Sequence, residues 1–430
     1  MSPKVAERPN EVRAASDLAA EIFGGTVSSI ERTHLAVAAR SFGLSGAGRS
    51  PARLLHDGIS KVAYGSVRGA GRLGGAMMGV AAGAIGELDA THGGRPISET
   101  RTGAVALGAI NGWAGDRLAE RDSDLAVGMS LRDPRGHRIH ADAPSLAAAY
   151  PGATKRLAVF IHGLTETERT WWFGMRSGDG TGGRPYGDRL AADLGYTPLY
   201  LRYNSGLRVS ENGRELATLL DRVVAEWPVG VEEIAVFGFS MGGLVARSAN
   251  HVALGEGMPW VERVRHVFHL GVPHHGAPLE RLTNATTARL RRLPEVAAVA
   301  DVLDGRSGGI KDMRYGNVLD ADWRGYDPDE VLRDRRRPVP YLESAAHYFL
   351  AATLTRSPGD PISRVLGDML VLLPSAWAEG THGHRGRFEI ERSRHYGGLT
   401  HFHLANHDAV YAQIRSWLTR RELEAGPAPA

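Results

Sequence analysis

The chain has 430 residues, 43% of them hydrophobic and 7% aromatic, which supplies a sizeable core for one large domain with an appendage and excludes a chain disordered throughout. Its 51 basic residues are nearly offset by 48 acidic ones, for a formal net charge of +3, so no strong field selects nucleic acid as a partner. Cysteine is absent, which excludes disulfides, Cys-ligated zinc and a thiol nucleophile together and leaves the redox compartment open.

From Met1 to Glu21 charges recur, with no apolar run ahead of a small-residue cleavage site. A cytoplasmic protein without a secretory signal is therefore expected. No stretch reaches the ~18 strongly apolar residues of a membrane span. Residues 1–120 are expected to form a Gly/Ala-rich helical extension. Ser66 to Gly86 holds Gly69, Gly71, Gly74, Gly75, Gly79, Gly83 and Gly86, and a similar texture returns at Gly103 to Gly115. Glycine costs about 1 kcal/mol per helix position relative to alanine, so helices this light need a packing reward. The spacing Gly71, Gly75, Gly79, Gly83 suits close backbone approach. One reading is a helical hairpin that docks peripherally on a membrane, a partner or a second copy. The other, favoured because Arg68 and Arg72 interrupt the apolar surface, is a helical layer packed on this chain's own larger domain. Gly69 to Gly74 also spells G-x-G-x-x-G, but no strand precedes it, so no dinucleotide site is expected.

Two short extended pieces, Ala126 to Leu131 and His137 to Ile139, flank Asp133-Pro134-Arg135-Gly136, which has the chemistry of a hairpin turn. After Pro151-Gly152 short apolar runs alternate with helical stretches. Leu157 to Ile161, Thr197 to Tyr203, Ile234 to Phe237, Val264 to Leu270 and His347 to Leu354 are predicted strands. Glu215 to Trp227, Met241 to Val252 and Ala409 to Leu418 are predicted helices. Such alternation implies a mainly parallel sheet covered by helices on both faces, in an α/β domain over residues 121–425, with sites beyond the carboxyl ends of its strands. Gly174 to Gly187 and Pro278 to Arg337 interrupt the alternation. They are expected to supply cap or lid segments near 170–190 and 278–340.

The domain centres on Gly238-Phe239-Ser240-Met241-Gly242, entered by the strand Ile234 to Phe237 and left by a helix. G-x-S-x-G in that setting is a nucleophile elbow, which holds a serine hydroxyl at the top of a sheet. The flanking glycines are expected because a side chain there would collide with the neighbouring strand or helix. An acyl-transfer serine needs a base, an acid to orient it and donors for the oxyanion. The strand Leu157 to Ile161 ends in His162-Gly163-Leu164, so Leu164 is the expected upstream amide donor and Met241 the second. His162 is expected to hold the loop by a hydrogen bond. The acid candidates are Asp368, in a loop shortly after the strand His347 to Leu354, and Asp360, in a turn-like Gly-Asp-Pro setting. The base candidates are His401, His403 and His407, with His401 preferred because it follows a strand-like segment, Arg387 to Glu391, and precedes the last helix.

These residues together resemble the α/β-hydrolase superfamily and, within it, bacterial lipases and esterases related to inositol-deacylase-like lipases. The matching stretches are Val159 to Leu164, Gly238 to Gly243, Leu270 to Pro278, Gly367-Asp368 with Pro374-Ser375, and Gly398 to His401, spanning about residues 155–420. The resemblance implies an α/β-hydrolase fold and a triad of Ser240, Asp368 and His401, with Leu164 and Met241 as oxyanion amides. It further implies cleavage of carboxylic esters, lipid or other hydrophobic esters among them, with no metal or organic cofactor. An amidase or thioesterase would use the same triad, and a binding scaffold is the non-enzymatic alternative. Phe239 stands where many such lipases carry histidine, with little catalytic consequence expected, and the resemblance leaves residues 1–120 unaddressed. His274-His275, with His269 upstream, does not follow a metal-ligand spacing and is expected to be a loop packed beside the elbow.

Overall fold

The computed structural model describes residues 14, 96–173, 184–277, 280, 306–327, 330, 333–357, 360, 368, 370–377 and 392–424. The glycine-spaced stretch Ser66 to Gly86, its G-x-G-x-x-G, the predicted strand Arg387 to Glu391 and much of both expected cap segments lie outside these residues. The chain divides into two compact units. One comprises Met1–Gly103, Leu118–Ala126 and Leu282–Arg306, and the other Ala104–Arg117, Val127–Arg281 and Ser307–Ala430. In the first, the Thr100 side chain accepts from the Gly103 amide at 3.1 Å, capping the start of α1 (Arg101–Glu120). Just beyond α1, the Ser123 amide donates to the Leu118 carbonyl at 3.0 Å.

The second unit is built on an eight-stranded sheet of order β2-β1-β4-β3-β5-β6-β7-β8. Its strands are β1 (Ser130–Arg132), β2 (Arg138–Ile139), β3 (Arg156–Ile161), β4 (Thr197–Arg202), β5 (Glu233–Phe239), β6 (Val264–Leu270), β7 (Ala346–Thr353) and β8 (Ser393–Gly397). β1 pairs antiparallel with β2 and β4, and every other neighbouring pair is parallel. The hairpin turn forms where Asp133-Pro134-Arg135-Gly136 placed it. The Asp133 side chain accepts from the amides of Arg135 and His137, both at 2.8 Å, and Gly136 takes φ 90°. The five predicted strands from Leu157 onward coincide with β3 to β7 within a residue or two at each end. β8 was not anticipated, because Ser-Arg-His-Tyr-Gly has neither an apolar run nor β-branched residues.

Alternation within the strands explains the layers. Leu157, Val159 and Ile161 of β3 and Ile234 and Val236 of β5 face one core, while Ala158, Phe160, Ala235, Phe237 and Phe239 face the other. Both faces are apolar, as a parallel sheet covered on both sides requires. On the second face Tyr200, Phe160, Phe237, Phe268 and Tyr348 occupy register positions on five adjacent strands, with successive ring centroids 4.6–5.1 Å apart.

Helices α2 (Ala143–Ala149), α3 (Tyr186–Leu194), α4 (Val209–Glu226), α5 (Met241–Glu256), α6 (Gly308–Asp312), α7 (Leu373–Ala376) and α8 (Asp408–Glu424) complete the described elements of α-helix. α4 buries Leu216, Ala217, Leu220 and Val223, one helical stripe, against the first face. From the expected cap stretch 170–190, Tyr186 and Leu190 are buried on α3 in the second core.

The returning glycine texture packs within this unit. A β-carbon at Gly108 of α1 would come 2.8 Å from the Glu166 carbonyl oxygen, one at Gly112 would come 2.5 Å from Thr165 Cγ2, and one at Gly115 would overlap the Asn204 side chain. The Asn204 amide group donates to the Gly115 carbonyl at 2.8 Å, and Ser307 donates to that of Gly112 at 2.6 Å. For residues 104–117 the packing reward is therefore this chain's own sheet domain. Among the described residues no helix is long and apolar enough to cross a membrane.

Candidate active site

Ser240 lies at the carboxyl end of β5 with φ 51° and ψ −124°, a left-handed backbone that a non-glycine residue holds only under constraint. Its amide donates to the Leu270 carbonyl at the end of β6, 2.8 Å away. The flanking glycines have the steric reason anticipated for them. A β-carbon at Gly238 would come 2.5 Å from the α-carbon of Gly243, and one at Gly242 would strike the carbonyl oxygens of Ile161 and His162.

The loop after β3 lies against this turn: a β-carbon at Gly163 would come 3.0 Å from Ser240 Cβ. His162 is buried and holds the loop from within. Its Nδ1 donates to the Gly163 carbonyl at 2.8 Å, its Nε2 accepts from the Tyr203 amide at 3.3 Å, and Tyr203 returns a hydroxyl hydrogen bond to the His162 carbonyl at 2.8 Å. This pattern requires the neutral ring, and burial pushes its pKa down to about 4. Leu164 follows directly, while Met241 opens α5, where a helix leaves its first amides without intrahelical partners.

Of the late histidines, His401 lies on a carboxylate. Its Nδ1 meets Asp368 Oδ2 at 2.7 Å with both side chains buried, and its amide donates to the Asp368 carbonyl at 3.1 Å. Asp368 Oδ1 accepts from the amides of Leu370 at 3.0 Å and Val371 at 2.9 Å. With Nδ1 donating, the basic lone pair is on Nε2, a buried atom without a hydrogen-bond partner in the described structure. Burial opposes charge on His401, yet Asp368, by its charge and hydrogen bond, and then Glu166 hold its pKa above the usual histidine value. His403 Nδ1 instead accepts from the Thr400 amide at 3.2 Å, and His407 Nδ1 accepts from the Ala409 amide at 3.2 Å. Asp360 belongs to a turn in which its amide donates to the Ser357 carbonyl at 3.2 Å.

The imidazole touches the elbow at Phe239 and the turn after β6 at Gly271. It packs on the Phe239 ring, centroids 4.8 Å apart, and a β-carbon at Gly271 would come 2.8 Å from His401 Cε1. Phe239 packs at the elbow, as expected for that position, and its ring also lies against the imidazole of His401.

The histidines near the elbow form a separate buried group. His269 Nε2 meets His347 Nδ1 at 3.0 Å, His347 Nε2 donates to the Leu342 carbonyl at 3.1 Å, and His274 Nδ1 accepts from Arg247 at 3.3 Å. Burial lowers all three pKa values, that of His347 to about 4. Among the described residues no group of three or more His, Cys, Asp or Glu side chains is placed to hold a metal ion.

Two neighbours of the site escaped the sequence reading. Glu168 is fully buried and forms a two-pronged ion pair with fully buried Arg202, at 2.6 and 2.5 Å. Glu166 places Oε2 2.9 Å from the Gly163 amide. Their one sequence signal was position, directly after His162-Gly163-Leu164.

No known family profile matches the chain, and no curated protein matches it. Among solved structures it is similar to the lipase BlEst2 of Bacillus licheniformis in its propeptide form, at 17% identity and a TM-score of 0.42 over 68% of this chain and 53% of that one. The chain thus spans about half the length of that relative. The mature form of the same lipase gives 18% identity and a TM-score of 0.39 over 67% of this chain and 97% of that one. A lipase-esterase related protein from Clostridium acetobutylicum ATCC 824 gives 12% and 0.32 over 61% and 94%. The fold assignment rests on the sheet itself. Six consecutive parallel strands with an antiparallel edge, helices on both faces and a serine turn leading from β5 into α5 make this an α/β-hydrolase fold.

Proposed function

We propose that this chain is a serine hydrolase that cleaves carboxylic esters through an acyl-enzyme, the chemistry of esterases and lipases. The observations that carry this reading are a strained serine at the end of β5 and a buried imidazole that is held by a carboxylate and packs on the ring of Phe239, the residue before that serine. Ser240 Oγ attacks the ester carbonyl as His401 Nε2 takes its proton. Asp368 keeps the ring in the Nδ1–H tautomer and stabilises the imidazolium, and the amides of Leu164 and Met241 receive the oxyanion. His401 then protonates the leaving alcohol, and water, deprotonated by the same nitrogen, releases the acid. Phe173 and Phe402 are each 41% exposed, with ring centroids 5.8 Å apart, and Phe402 directly follows His401. This aromatic surface beside the base supports an ester with an apolar acyl or alcohol group.

The test is mass spectrometry after a fluorophosphonate probe, together with a panel of p-nitrophenyl esters of increasing acyl length. An adduct on Ser240 and release of p-nitrophenol are expected. An adduct elsewhere on folded protein, or none, rejects the reading.

A further inference from the structure

Three groups meet at the α-carbon of Gly163. A methyl there would stand 3.0 Å from Glu166 Oε2 and 3.0 Å from Ser240 Cβ, and the Gly163 amide donates to that same carboxyl oxygen at 2.9 Å. The segment that carries Leu164 therefore folds back to place an acid at the nucleophile. The fold-back is strained: Thr165 takes φ 62°, a left-handed conformation unfavourable for a β-branched residue. Two neighbours hold it there. The Thr165 amide donates to Ser205 Oγ at 3.0 Å, and its Cγ2 sits on Gly112 of α1, where any larger residue would displace it.

Glu166 is not needed for the triad, since Asp368 already orients His401. Its surroundings nonetheless face the reacting groups. The Gly163 amide and the Thr170 hydroxyl reach its carboxyl, Tyr203 lies in its field from beyond β4, and His401 is coupled to it from the segment before α8. Burial raises its pKa to about 7, against the pull of the Gly163 amide, His401 and Thr170. Glu166 in turn makes His401 more basic.

Resting on the ester-hydrolase reading, we propose that Glu166 is a positioning residue of the reaction, holding the oxyanion loop through the Gly163 amide and supporting the imidazolium of His401 with its charge. The bond to Gly163 needs only an acceptor, whereas the support of His401 needs the negative charge. Two substitutions separate these roles. Glu166→Gln keeps an acceptor of the same reach and removes the charge. Glu166→Ala removes both.

The experiment follows p-nitrophenyl butyrate hydrolysis by the full chain from pH 5 to 9, with melting temperatures alongside. In wild type the acid limb of kcat/KM reports two coupled groups. In Glu166→Gln it moves to lower pH, because the charge that raised the basicity of His401 is gone. Glu166→Ala shows that same shift and loses a further tenfold or about a hundredfold in kcat as Leu164 drifts from its place. A Glu166→Gln profile that superimposes on wild type overturns the proposal, as does a Glu166→Ala protein that melts normally and keeps its kcat. Should the alanine variant fail to fold, the glutamine profile decides alone. A wild-type protein that neither hydrolyses esters nor takes a fluorophosphonate on Ser240 sinks the parent reading and this one with it. Active wild type with an unmoved profile sinks this one alone.

Discussion

His401 and Asp368 share a 2.7 Å hydrogen bond although they stand 33 residues apart, and both side chains are buried at the end of the sheet. The carboxylate has a division of labour. Oδ2 holds the imidazole, while Oδ1 is held by the amides of Leu370 and Val371. In Asp368→Asn the amide oxygen can keep the two backbone bonds, but its NH2 then faces His401 Nδ1 and favours the wrong tautomer. Ester hydrolysis is expected to fall by about 10³–10⁴ with little change in melting temperature. Asp368 helps raise the pKa of His401 above the usual value, so wild-type kcat/KM is expected to be lost as pH falls through a value above about 6.5. Whatever activity survives in the variant should be lost at lower pH. Asp360→Asn, in the turn where the Asp360 amide meets the Ser357 carbonyl, should leave ester hydrolysis unchanged. An equal loss in the two variants, measured on the same ester, would argue against Asp368 as the orienting acid.

The ion pair of Glu168 with Arg202 anchors the segment just beyond the oxyanion loop to the end of β4. Neither side chain has solvent to fall back on. Arg202→Met leaves the buried carboxylate with only the longer contact of Arg169 Nε, at 3.4 Å, in place of its two-pronged partner, and the expected loss in urea unfolding is up to about 3–5 kcal/mol. Adding Glu168→Gln removes the stranded charge and should recover a large part of that loss. A single-variant loss below about 1 kcal/mol would mean that the carboxylate finds water or another partner.

The strands and the elbow were legible because each leaves a local mark: short apolar runs, a turn rich in glycine, a helix after it. The order of serine, acid and histidine along the chain narrowed the late histidines, but nothing local separates His401 from His403. What separates them is a carboxylate 33 residues upstream, brought near only when β7 and β8 pair. Glu166 and Arg202–Glu168 were invisible for a related reason. A charged residue in a polar stretch reads as solvated surface unless the fold is known to bury it. β8 escaped through composition, since its place at the sheet edge is set by pairing with β7 and not by a hydrophobic run. The glycines of α1 were legible as a light helical texture expected to pack on this chain's own larger domain, and at Gly108 and Gly112 the contact is the Thr165–Glu166 backbone.

That contact predicts opposite signs for two glycine-to-alanine changes. Gly112 is buried on α1, and a β-carbon there would approach the Thr165 backbone within 2.7 Å, which a strained loop has little freedom to relieve. Gly112→Ala is expected to cost about 1–3 kcal/mol despite better helix propensity, and to lower kcat because Thr165 sits between Leu164 and Glu166. Gly255, near the end of α5, has nothing within 4 Å of its would-be β-carbon. Gly255→Ala should gain about 0.5–1 kcal/mol. Melting temperatures of the two variants moving in the same direction would contradict the packing assigned to α1.

His347 supplies a pH dependence with a definite sign. Its folded pKa is about 4 because burial disfavours the charged ring, against about 6.5 in an unfolded chain. Between those values the unfolded chain binds a proton that the folded chain refuses, so this residue's contribution to stability rises with pH across the window and is lost as pH falls below about 6.5. At pH 5 the penalty amounts to about 2 kcal/mol. Other groups titrate in the same range, and the raised carboxyl of Glu166 acts in the opposite direction. The residue is therefore isolated by difference. In His347→Gln the side chain can still accept from His269 and donate to the Leu342 carbonyl, but it cannot take up a proton. The slope of melting temperature against pH between 6.5 and 5 should be shallower in the variant than in wild type, whatever the absolute stability of either. Parallel slopes would mean that the imidazole titrates in the folded protein as it does in water, and that burial does not hold it neutral.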